Sequence, residues 1–174
     1  MIQIKNAAEL QKMRKACAIS AAALKAGGEA IEPGITTAEI DKIIYDFIVR
    51  HGARPNFLHL YGFPATACIS VNDTVIHGIP NKQQQIRPGD IVSIDTGCKI
   101  DGFNGDNACT YACGKIDLEA QRLLDVTKES LHRGIEMACG GNRVGDIGHA
   151  VQSYVEENGF SVVREYVGHG VGRN

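Results

Sequence analysis

Residues 91–110, IVSIDTGCKIDGFNGDNACT, predict two β-strands joined by a tight turn. Apolar residues dominate the first run, while aspartate and glycine mark the turn. If the turn centres on Ile100-Asp101, Asp95 lies opposite Asp106. If Asp101-Gly102 forms a two-residue turn, the same two acids are diagonal neighbours. Both registers place the two carboxylates on one face of the sheet.

Two carboxylates on one face repel each other unless a cation neutralises them. Ile91, Val92 and Ile94 predict a central strand, in which a lone Asp95 would be costly to desolvate. Alternatively, one aspartate points to solvent, or a three-residue loop shifts the register and separates the two acids. The burial expected around Asp95 favours a shared divalent ion, of the hard or borderline kind represented by manganese, iron, cobalt and zinc.

Two histidines are candidates to join such a site. His77 and His169 each stand beside glycine, which lets backbone or substrate approach closely. A single histidine in a loop is more often solvated or hydrogen-bonded than a metal ligand. The residues alone therefore leave the role of both histidines open.

The remaining chain alternates between helical and β-type periodicity. Helical spacing predicts four helices, and the Thr36-x-x-Glu39 capping box marks the start of the second. The order of elements predicts an α+β fold, in which helices cover one face of a mainly antiparallel sheet. The predicted helices span 7–32, 37–51, 118–137 and 144–158, and a last strand is predicted at 160–166.

Composition excludes several classes of function. The 174 residues are 44% hydrophobic and carry a net charge of -2, so a folded domain is expected, without specific nucleic-acid binding. No secretory signal and no membrane-spanning stretch is visible. The scattered cysteines suggest reduced thiols. We therefore expect a cytoplasmic protein with a small partner.

Five ordered motifs along the chain resemble type I methionine aminopeptidases. The resemblance implies the pita-bread α+β fold and a centre of two divalent metal ions that hydrolyses the bond after an N-terminal methionine. The expected partner is a peptide or nascent protein that begins with methionine. The motifs are Cys68-Ile69-Ser70-Val71-Asn72, His77-Gly78-Ile79-Pro80, Asp90-Ile91-Val92-Ser93-Ile94-Asp95, Asp101-Gly102-Phe103-Asn104-Gly105-Asp106 and Tyr166-Val167-Gly168-His169-Gly170-Val171-Gly172-Arg173.

The resemblance also implies roles for individual residues. Asp95 would bind one metal, Asp106 would bridge both, and His169 would bind the other. The metals could be cobalt, manganese, iron or zinc. His77 would contact the scissile amide or its leaving nitrogen as a hydrogen-bond donor and proton shuttle.

The resemblance further implies a pocket for the methionine side chain. Phe63 and Cys68 match positions that line this pocket in the family. Without the resemblance, ordinary core packing would explain both residues.

The family pattern continues, after the motif that ends at Arg173, into a second histidine and two metal-binding glutamates that this sequence does not contain. We therefore expect residues 1–174 to form a single incomplete catalytic domain, truncated before the end of the fold, that is inactive or weakly active alone. A non-catalytic peptide-binding module and a fragment that self-associates through its exposed face are the alternatives.

Overall fold

The structure is a computed structural model that describes residues 3–166 and 168–173. The chain divides into two compact units, Met1–Ile116 with Gly170–Asn174, and Asp117–His169. The expected single domain over residues 1–174 stays a prediction. Among the described residues, no helix is both long and apolar enough to cross a bilayer.

The first unit is an antiparallel sheet covered by two helices, as predicted. The central strand β3 pairs with β1 and β2 along one edge and with β4 along the other. The elements are α1 (Ala7–Glu29), α2 (Thr37–Arg50), β1 (Arg54–Pro55), a short 3-10 helix (Leu60–Gly62), β2 (Ala67–Val71), β3 (Ile91–Ile100) and β4 (Phe103–Ala112).

Both helices of this unit begin at a capping box. The Thr36 side chain accepts a hydrogen bond from the Glu39 amide, and the Glu39 carboxylate accepts one from the Thr36 amide at 2.8 Å. Asn6 and Glu9 form the same reciprocal pair at the start of α1. These caps satisfy amides that have no partner within the helix, and the box at Thr36 is visible in the sequence, whereas the start of α1 is predicted from apolar spacing.

The core lies between the helices and one face of the sheet. Every second residue of β3 is buried there, as the two-residue period of a strand requires. Burying one such isoleucine or valine fully contributes about 1.5–3 kcal/mol. The fully buried aliphatic residues include Ile40, Ile44, Ile48, Ile69, Val92 and Ile94. The opposite face of the sheet is left available for polar residues.

The second unit contains α3 (Leu118–Met137) and α4 (Val144–Glu157), close to the predicted ranges. The predicted last strand, 160–166, is wrong, because the described part of these residues forms no strand. Gly159 takes a φ of 76° and turns the chain back, so that Arg164 pairs with Glu156 of α4 at 2.9 Å. A strand needs a neighbouring strand for its backbone hydrogen bonds, and the described residues of this unit include no other strand.

Candidate metal centre

The turn between β3 and β4 settles the register of the hairpin. Asp101 and Gly102 have φ angles of 53° and 82°, and Ile100 pairs with Phe103 across them. Positive φ at both central residues is typical of a type I′ turn, for which an Asp-Gly pair is well suited. Lys15 of α1 binds Asp101 at 2.7 Å. The two-residue turn is therefore the alternative that the chain adopts.

This register places Asp95 and Asp106 on one face of the sheet as diagonal neighbours. Asp95 pairs with Ala108, and Asp106 pairs with Gly97. Diagonal positions lie about 7–8 Å apart in an antiparallel sheet. The predicted placement on one face is confirmed, whereas the direct opposition expected from the other register does not occur.

Small residues stand opposite both acids. Ala108 and Gly97 carry at most a methyl group, so neither fills the space beside the carboxylate across from it. A Cβ at Gly97 would meet Asn56 Nδ2 and Phe57 Cε1, each at 3.3 Å. The backbone amide of Asn56 also donates a hydrogen bond to the Gly97 carbonyl at 2.9 Å. The loop after β1 therefore borders the acidic face, a contact that the sequence gives no sign of.

Cys68 lies directly across from Asp95, on β2, and only 7% of it is exposed. Burial raises the pKa of its thiol to about 11, and the charges of Asp95, Asp106 and Asp41 add to the rise. The thiol thus lies in a negative field and stays protonated near neutral pH. Cys68 therefore lies next to the paired acids, and its predicted role in a methionine pocket stays a prediction.

Asp41 of α2 fixes the start of β2. Its Oδ1 atom accepts hydrogen bonds from the amides of Thr66 and Ala67 at 2.9 and 2.8 Å. Burial raises the pKa of Asp41, although these two hydrogen bonds act in the opposite direction. Asp41 therefore connects the second helix to the strand that carries Cys68, a link across 25 residues that periodicity does not reveal.

Phe63 lies between β1 and β2, half-buried, directly after the short 3-10 helix. Its amide donates to the Leu60 carbonyl at 2.9 Å, and its own carbonyl accepts from the His59 amide at 2.8 Å. These bonds make the segment before β2 a closed turn. The predicted contact of Phe63 with a substrate stays a prediction.

The two candidate histidines lie in different parts of the chain. His77 is exposed in the loop after β2, next to Gly78, which hydrogen-bonds to that strand. His169 is exposed at the end of the second unit. Within residues 3–166 and 168–173, no three His, Cys, Asp or Glu side chains form a group that could hold a metal ion. A metal site that unites His169 with Asp95 and Asp106 stays a prediction.

The family model for metallopeptidase family M24 matches residues 11–174. A methionine aminopeptidase from Clostridium perfringens is 51% identical over 173 residues, which are 99% of this chain and 69% of the relative. Methionine aminopeptidase 1 from Bacillus subtilis is 47% identical over 174 residues, 100% of this chain and 70% of the relative. The chain thus spans about 70% of the length of these relatives.

Solved structures of related proteins have the same fold as this chain. The crystal structure of methionine aminopeptidase from Rickettsia prowazekii superposes with a TM-score of 0.97 at 40% identity, over 100% of this chain and 70% of the other. Prolidase from Pyrococcus furiosus has a TM-score of 0.84 at 24% identity, over 98% of this chain and 49% of the other. The second likeness concerns the fold alone. Together these similarities confirm the predicted pita-bread α+β architecture.

Proposed function

Because the chain belongs to metallopeptidase family M24 and, within it, to the methionine aminopeptidases, we propose that its function is to remove methionine from the N-terminus of peptides and newly made proteins. The observation that carries this proposal is the register of the β3–β4 hairpin, which brings Asp95 and Asp106 to one face. The residues opposite them, Gly97 and Ala108, are small.

The residues on this face fit divalent metal ions. Both Asp95 and Asp106 offer carboxylate oxygens, the donor type that manganese, iron, cobalt and zinc all accept. Burial raises the pKa of the nearby Cys68 thiol, and the negative charges of these acids raise it further. We propose that Asp95 would bind one ion, that Asp106 would bridge two, and that His169 would bind the other.

The remaining residues would bind and orient the peptide. A divalent ion bound at the acidic face would polarise the scissile carbonyl and lower the pKa of an attacking water. His77 would donate a hydrogen bond to the scissile amide and pass a proton to its leaving nitrogen. Phe63 and Cys68 would line the pocket for the methionine side chain, where an apolar wall excludes water.

Among the predicted metal ligands, the described residues bring the two aspartates to one face of the sheet, and no group of three side chains among them could hold a metal ion. With few protein donors, each ion would be weakly held and open to bulk water. We therefore expect the 174-residue chain to release methionine from a Met-Ala-Ser peptide slowly, but in a manner that depends on Asp106.

The test is a long incubation with cobalt or manganese, in which free methionine is measured by mass spectrometry. The wild-type chain should release methionine at least about tenfold faster than Asp106→Asn, a difference of about 1.4 kcal/mol in barrier. The matched control is Asp101→Asn, because Asp101 lies on the same hairpin but at its turn, bound to Lys15. Equal rates for the wild-type and Asp106→Asn chains would contradict catalysis at this face.

The same experiment distinguishes a binding module from an enzyme. A chain that binds the peptide but shows no metal-dependent release in any variant would be a non-catalytic peptide-binding module. The proposed substrates are exposed first in the cytoplasm, where new chains are made, and we propose the cytoplasm as the place of action.

Self-association is a further part of the proposal. Large apolar side chains lie exposed on α3 and α4, and a second copy would cover them. They include Leu118, Leu131, Ile135 and Val144. Sedimentation velocity over a range of concentrations tests this, because a chain that stays monomeric at high concentration would contradict it.

A further inference from the structure

The loop that carries His77 leaves β2 and returns to the same strand. At the beginning of the loop, Asn72 takes a φ of 54°, and its backbone amide donates a hydrogen bond to the Ile91 carbonyl at 3.0 Å. At its end, the Gly78 carbonyl accepts a hydrogen bond from the Ile69 amide at 2.8 Å. The loop is therefore closed at both ends by the sheet.

Gly78 packs against β2 more closely than any other residue type could. A Cβ at this position would lie 2.1 Å from the Ile69 carbonyl oxygen, closer than atoms can approach. Its amide donates to the Ser70 hydroxyl at 3.0 Å. Both backbone polar groups of Gly78 are thus bonded to the strand.

Ser70, which accepts this hydrogen bond, is a buried residue of strand β2. Only 4% of the serine is exposed, and it pairs with Ser93 on the central strand. Ser70 and Cys68 are two residues apart on β2, so both lie on the face that carries Asp95. The bond from Gly78 therefore ties the loop to the acidic face itself.

His77 is held in a conformation that side chains seldom adopt. Its φ of 56° is in the left-handed region, which is unfavourable for residues other than glycine. Such a conformation persists only where the surrounding structure determines it, and such residues cluster at functional sites. The next residue, Gly78, is bonded to β2 through both of its backbone polar groups.

We propose that Ser70 is a positioning residue for His77. Its hydroxyl holds the Gly78 amide, which keeps the backbone of His77 in the left-handed conformation. This inference rests on the proposed role of His77 and adds to it the residue that fixes the backbone from which the imidazole projects. A purely structural serine would stabilise the fold without any effect on His77.

The matched pair of variants is Ser70→Ala and Ser93→Ala. The two serines are cross-strand partners. The Ser93 hydroxyl, however, is hydrogen-bonded to the Thr110 hydroxyl at 2.8 Å and not to the loop. Each variant loses one hydroxyl from the same face. Nuclear magnetic resonance then follows the exchange of the Gly78 amide and the ring signals of His77 at one fixed pH.

In Ser70→Ala, we expect the Gly78 amide to exchange about fivefold faster, the effect of losing one neutral hydrogen bond. The ring signals of His77 should move, while Ser93→Ala leaves the Gly78 exchange and the His77 signals unchanged. Unchanged Gly78 exchange and His77 signals in Ser70→Ala would overturn the inference. Equal changes in the two variants would do the same.

Methionine release with cobalt, measured in His77→Ala, separates this inference from the proposed function. If His77→Ala releases methionine as fast as the wild-type chain, the proposed role of His77 fails, whatever Ser70 does. If His77→Ala is slower while Ser70→Ala leaves exchange and ring signals unchanged, only the positioning role of Ser70 fails.

Discussion

Replacing Asp41 with alanine should destabilise the first unit strongly. One carboxylate oxygen of Asp41 accepts hydrogen bonds from the Thr66 and Ala67 amides, whose residues are 1% and 0% exposed. Alanine leaves both buried donors without this partner. Each unsatisfied donor costs about 1–3 kcal/mol, so the free energy of unfolding should fall by about 2–6 kcal/mol in total.

Urea unfolding, followed by circular dichroism, measures this loss. Asp41→Asn retains an oxygen that can accept both hydrogen bonds, so it should lose less than about 1 kcal/mol. The control is Asp46→Ala on the same helix, whose exposed carboxylate pairs with Lys42 at 2.7 Å. That pair is worth about 0.3–0.5 kcal/mol. Equal losses in Asp41→Ala and Asp46→Ala would refute the reasoning about buried amides.

Burial raises the pKa of Asp41 above 3.8. The wild-type chain should therefore lose stability relative to Asp41→Asn as the pH rises from below 3.8 through the raised pKa. Urea unfolding midpoints measured across this pH range test the difference. Gly105→Ala should destabilise the folded chain by about 1–3 kcal/mol, because the added Cβ would lie 2.5 Å from the α1 backbone. Gly148→Ala should stabilise it by up to about 1 kcal/mol, because there is open space beside this position of α4. Thermal melts measure both changes. Iodoacetamide at pH 8 should modify the exposed Cys109 well before Cys68, because burial is the main cause that raises the pKa of Cys68 to about 11. Mass spectrometry measures the two modification rates, and equal rates would contradict this prediction.

The parts of the fold that follow local rules could be predicted from the sequence. Thr36 and Glu39 mark a helix start because a capping box is formed by residues three apart. Asp101-Gly102 favours a two-residue turn, and the strand period then determines which face Asp95 and Asp106 share. The sequence left two registers open, since only the backbone of the turn distinguishes them.

The parts that depend on distant partners could not be predicted in this way. Residues 160–166 have the composition of a strand, but strand formation requires a neighbour that hydrophobic periodicity does not identify. The bond from Asn56 to Gly97 and those from Asp41 to the start of β2 join positions at least 25 residues apart. Of the predicted site residues, the structure brings the two aspartates together with Cys68, and the roles of Phe63, His77 and His169 stay predictions.

The most direct test of the central claim is a manganese titration in which free ion is measured by electron paramagnetic resonance. If Asp95 and Asp106 share the ion, Asp95→Asn and Asp106→Asn should each weaken binding at least about tenfold, an effect seen even for residues that only support metal ligands. Asp101→Asn removes the same charge from the turn of the same hairpin and should change the affinity less than about twofold. Equal weakening in all three variants, or none in any, would contradict a metal site on this face.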